Sequence, residues 1–149
     1  MDVKQQAAVP DGSVIRGLLT GWNLPVFIVT GIVLYSLMPF PQPDLPKNLN
    51  HLPHTVGYFV LMLAILHSAT QNGGPRLARV ARCLGLGVAL IAFGGLMELA
   101  QGVVGRDEQW ADLTADIQGV VAALLVWALI AGLRSAWRGA RRSAVISTR

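Results

Sequence analysis

The sequence predicts an all-α protein: a polytopic membrane bundle of four transmembrane helices with both termini cytoplasmic. Three observations carry this. Apolar residues make up 53% of the 149 residues and charged residues only 13%, about half the charged share of a typical soluble domain. The apolar residues fall into four runs, each near the roughly 20 residues needed to cross hydrocarbon as a helix. Finally, the basic residues are gathered on one side of those runs.

Composition also excludes classes. The net charge of +4 and isoelectric point near 10.0 would suit nucleic acid. The arginines, however, flank apolar spans and form no patch with stacking aromatics, so no nucleic-acid partner is expected. Cys83 is the single cysteine, which rules out an intrachain disulfide and a cysteine-based metal site.

Residues 1–16 read as a cytoplasmic N-terminal tail, residues 17–133 as the four-helix transmembrane domain, and residues 134–149 as a basic cytoplasmic tail. The first span is placed at Leu18 to Met38, within 27 residues that lack an ionised side chain between Arg16 and Asp44. A cleaved signal peptide is the rival reading. The run is too long for one and ends in MPFPQP, not in a small-residue cleavage site. Pro41, Pro43 and Pro46 then impose an extended connection over 39–50.

The second span covers Leu52 to Thr70, with Pro53 tolerable in a first helical turn. A turn at Gly73, Gly74 and Pro75 leads to Arg76, Arg79 and Arg82. The third span covers Cys83 to Val103. On it Gly87, Ile91, Gly94, Gly95 and Glu98 fall on or near one face, letting neighbouring helices approach closely. The fourth begins around Asp112 to Asp116 and ends near Leu133, with Asp116, Gly119 and Ala123 forming a second small-residue face. With four spans, the two tails and the second connection hold ten of the 12 Lys and Arg residues. Lys47 and Arg106 hold the other side. The positive-inside rule therefore puts both termini in the cytoplasm.

The stretch from Phe93 to Gly119 gathers five of the eight acidic residues. An ionised carboxylate at the centre of a membrane helix costs about 2.5–3.5 kcal/mol on insertion scales. Glu98 lies about five residues from the outer end of its span, roughly 7–8 Å deep at 1.5 Å per residue, and Gln101 follows on the same face. Arg106 can pair with a carboxylate in bidentate fashion. Asp112 and Asp116 open the fourth span, while His54 and Tyr58 share a face at the start of the second. All seven are expected at the outer end of the bundle.

These residues resemble the VanZ-like membrane proteins. One part of the likeness is the opening of the second span: Asn50-His51, two residues, His54, three residues, Tyr58. The family has Asp-Lys at its first two positions, so Asn50 and His51 depart from it. The other part is the order and spacing of Glu98, Gln101, Arg106, Asp112, Asp116 and Gly119, with Asp116 where Asn is common in the family. The resemblance covers about residues 24–133. It implies a multi-pass bacterial inner-membrane protein, and the family takes its name from a member linked to resistance to the glycopeptide antibiotic teicoplanin. It implies no settled activity.

Each residue also has a packing role. Glu98 and Arg106 can form a buried pair that fixes helix register. Asp112 is placed to cap the fourth helix, and Asp116 lies near the positive end of its dipole. Gln101 can bond a neighbouring helix, and His54 and Tyr58 can anchor at the interface. His54, Glu98 and Asp116 could hold a divalent cation, but their spacing is no recognised ligand motif, so no metal and no cofactor is expected.

Two functions are weighed. In the first, the cell envelope supplies an anionic lipid-linked precursor that the outer-face site binds or processes. Arg106, Gln101, Tyr58 and Asp112 would be its ligand-binding residues, and His54, Glu98 or Asp116 its general acid or base. In the second, the chain is a non-enzymatic scaffold or accessory subunit, partnered by membrane lipids, whose polar cluster only locks the helices. A proton or ion path is disfavoured by the apolar inner halves of the spans.

Overall fold

A computed structural model describes residues 21–38, 51–71, 74–104 and 110–147. They form α1 (Asn23–Leu37), α2 (Leu52–Thr70), α3 (Arg76–Val103) and α4 (Trp110–Ser147). Three of these, α2, α3 and α4, are long and apolar enough to cross a membrane. The 15 residues of α1 lie within the expected first span. The N-terminal tail, the connection over 39–50 and the turn that carries Arg106 lie outside the described residues.

The helices alternate in direction. The Ser68 hydroxyl near the end of α2 donates to the Gly21 carbonyl just ahead of α1, so these two helices run antiparallel. His54 at the start of α2 meets Asp116 at the start of α4, so this pair is parallel. Between them α3 returns the chain, after a turn in which Gly74 takes φ +107°, a left-handed conformation that favours glycine. Pro75 caps α3 and suits a helix start because its missing N–H is not needed there. Arg82 reaches back and donates to the Ala69 carbonyl at the end of α2, satisfying a helix C-terminus with a cation.

α2 lies at the centre. Tyr58, Leu61, Met62 and Leu66 from α2, Leu90 from α3, and Val120 and Ala123 from α4 form one buried apolar cluster. The parallel pair α2 and α4 pack backbone against backbone. A Cβ on Gly119 would strike the Thr55 carbonyl oxygen and approach the Phe59 nitrogen to 2.9 Å. Ala115, Gly119 and Ala123, all buried, form the small-residue stripe on α4 that permits this approach. On α3 the glycines divide. Gly87 and Gly94 are buried, whereas a Cβ on Gly95 would meet open space. The inward face of α3 thus follows Gly87, Gly94, Glu98 and Gln101, and Gly95 is not part of it.

Two helices outrun their expected spans. α3 begins at Arg76 rather than Cys83, and α4 continues past Leu133 to Ser147. At 1.5 Å per residue the 38 residues of α4 extend about 57 Å, against about 30 Å of hydrocarbon. Arg and Ala favour helix, so polarity there marks the limit of the apolar layer and not of the helix. Along the extension Arg141 stacks its guanidinium 3.8 Å from the centre of the Trp137 ring, one turn away.

Candidate functional site

The start of α4 carries Asp112 and Asp116 one turn apart, and both turn toward the start of α2. Asp112 lies within the first turn of α4, where the positive end of the helix dipole favours a carboxylate. Its side chain is engaged across the bundle. Asp112 Oδ1 lies 2.6 Å from His51 Nδ1, and Asp112 Oδ2 lies 3.6 Å from His54 Nε2. Asp116 Oδ1 lies 3.1 Å from His54 Nδ1. The His54 ring therefore stands between the two carboxylates, one on each ring nitrogen.

Asp116 is the most deeply set of these groups, at 1% exposure, with Glu98 at 5%, Gln101 at 6% and Asp112 at 9%. Its second oxygen and the Tyr58 hydroxyl converge over Gly94, at 2.8 and 3.3 Å from where a Cβ would stand. A side chain there would press on the carboxylate, which would have to shift. Tyr58 also tilts against Phe93, with ring centroids 6.5 Å apart, an ordinary separation for an aromatic pair. Glu98 comes from α3 one turn beyond Gly94, and its carboxylate lies within 4.8 Å of ligating atoms on His54 and Asp112.

These groups border a partly open cleft. Ile32, Tyr35 and Ser36 of α1 and Met97 of α3 line it together with His54, Tyr58, Glu98, Gln101 and Asp116. Among the described residues every Lys and Arg lies near the opposite ends of these helices, on α3 from Arg76 to Arg82 and on α4 from Arg134 onward.

His54, Tyr58, Glu98, Gln101, Asp112 and Asp116 are thus brought to one level, as their spacing predicts. Arg106 lies outside the described residues. His51, which enters the sequence reading as a departure from a family pattern, is an added member. Its signal was the i, i+3 relation to His54, which puts both rings on one side of the helix start. The contributions of Ser36 and Met97 had no sequence signal.

Chemically, an imidazole held at Nδ1 by a buried carboxylate has its tautomer set, leaving Nε2 to accept a proton or coordinate a ligand. No family model, curated protein or solved structure matches this chain.

Proposed function

We propose that the chain is a VanZ-like protein of the bacterial inner membrane, crossing it four times with both termini cytoplasmic. Its outer-end cleft takes the headgroup of an anionic lipid-linked cell-envelope molecule. The observation that carries this reading is the mixed lining of the cleft, in which Ile32 and Met97 stand beside His54, Glu98, Gln101 and Asp116. Ligand sites pair an apolar wall with a few placed polar groups in this way, and an amphiphile presents both chemistries at one depth. The charge bias favours the orientation. In this reading Arg106 meets the anionic group, and His54, backed by Asp116, serves as the proton acceptor if a bond is broken.

A second reading has an observation of its own. The contacts of His51 with Asp112 and of His54 with Asp116 join α2 to α4. Among the described residues no buried side-chain nitrogen or oxygen lacks a hydrogen-bond partner. A satisfied polar layer can serve as a lock that sets helix register, as in a scaffold or accessory subunit.

Substituting His54→Ala, Glu98→Gln and Arg106→Gln separates the two. Membrane abundance and envelope-lipid profile or glycopeptide susceptibility are measured for each. Full abundance with a lost phenotype supports the headgroup site. Abundance and phenotype falling together would favour the lock.

A further inference from the structure

We infer that His54, Glu98 and Asp112 form a binding site for a divalent first-row metal ion of the zinc type, supported from behind by His51 and Asp116. The sequence shows no ligand motif because the donors come from three different helices, α2, α3 and α4. In space one ligating atom from each lies within 4.8 Å of the other two.

Two distances carry the argument. His54 Nε2 and Asp112 Oδ2 are 3.6 Å apart, too far for a hydrogen bond. Two ligands each 2.0–2.2 Å from one tetrahedral ion stand roughly 3.3–3.6 Å apart, so the gap fits a shared cation. The second distance is the 3.1 Å between His54 Nδ1 and Asp116 Oδ1. A ligating histidine commonly donates its other ring N–H to a carboxylate, which fixes the tautomer and aims the free lone pair at the metal. Asp112 is held likewise, with Oδ1 engaged by His51 at 2.6 Å and Oδ2 turned to the site.

Glu98, Asp112 and Asp116 are buried together. One imidazole and two carboxylates form a ligand set suited to Zn²⁺ or Mn²⁺ and less so to the all-oxygen preference of Ca²⁺. Three protein ligands leave a coordination position, and His54 and Glu98 border the cleft, so that position is available to water or to an anionic group. The cation site stands on donor geometry alone. Only its contact with a headgroup rests on the function proposed above.

The test uses the full chain in detergent or nanodiscs, stripped with chelator and titrated with Zn²⁺, with Mn²⁺ and Ca²⁺ as comparisons. Co²⁺ absorption reports coordination geometry. About one Zn²⁺ per chain is expected. His54→Ala, Asp112→Asn and Glu98→Gln should each weaken binding at least tenfold, and Asp116→Asn should weaken it about 10–100-fold, the usual range for a supporting residue. His67→Ala, at the far end of α2, should leave binding unchanged. Helix content and monodisperse elution of Asp112→Asn and Glu98→Gln keep a folding defect from passing for lost ligation.

No stoichiometric ion in the wild-type protein would overturn the site, as would an ion lost in His67→Ala but retained in His54→Ala. Absence of an ion together with unfolding of Arg106→Gln would make Arg106 the counter-charge and equally overturn it. A bound ion whose removal leaves envelope-lipid binding intact upholds the site and counts against the headgroup reading alone.

Discussion

The two ends of α4 are both charged and are treated in opposite ways. At its start Asp112 and Asp116 are buried against α2, while from Ala128 to Arg141 every residue is exposed, Arg134, Arg138 and Arg141 included. Residues of the first end depend on partners more than 60 positions away in the chain. Residues of the second interact along the helix, as Arg141 does with Trp137. A buried charge is costly unless it is paired and hydrogen-bonded, whereas an exposed arginine needs only water or headgroups. One helix therefore holds a segment that specifies tertiary structure and another that makes no buried contact.

Substitutions at matched positions test this division. The largest effect is expected at Gly119→Val, where the side chain would drive into the backbone of Thr55 and Phe59. Loss of the folded protein from membranes is the expected readout. Gly132→Ala on the same helix, with open space around it, should match wild type. Equal abundance of the two would break the comparison.

Next comes Asp116→Ala, which strips the His54 ring of its buried acceptor and should cost about 1–3 kcal/mol. A reversible unfolding titration in mixed micelles measures this, and Arg138→Ala provides the exposed counterpart with no shift. A smaller loss, about 1–2 kcal/mol for overpacking, is expected from Gly94→Ala, because the new methyl meets an Asp116 oxygen at 2.8 Å. Zn²⁺ affinity should fall with it. Smallest is Arg141→Ala, at about 0.5–1 kcal/mol for an exposed cation–π pair, visible as fraying at the end of α4 by hydrogen exchange.

Hydropathy located what touches hydrocarbon. It placed α2 at its observed limits, Leu52–Thr70, because there the helix and the apolar run coincide. For α3 and α4 they do not coincide, and Arg-rich helix reads as connection or tail. Spacing of three and four residues placed His54 with Tyr58, and Glu98 with Gln101, on shared faces. It could not tell Gly94 from Gly95, since both sit near the stripe and only packing against Tyr58 and Asp116 selects one. It could put His51 beside His54, but could not supply its partner Asp112, 61 residues distant. Contacts at that separation are properties of the assembled bundle.

The parallel pairing of α2 with α4 has a consequence for biogenesis. Neighbours in sequence can dock as soon as they are made, but α2 must wait for α3 to cross back before α4 can arrive. At synthesis rates of about 5–20 residues per second, the 62 residues separating His54 from Asp116 represent roughly 3–12 s. During that interval His54 and Tyr58 occupy a nascent bundle without the two aspartates of α4. A chain truncated before Asp112 would retain α2 and α3, yet their polar groups would lack the partners that α4 supplies. The site can close only once the last of the four helices has begun to form.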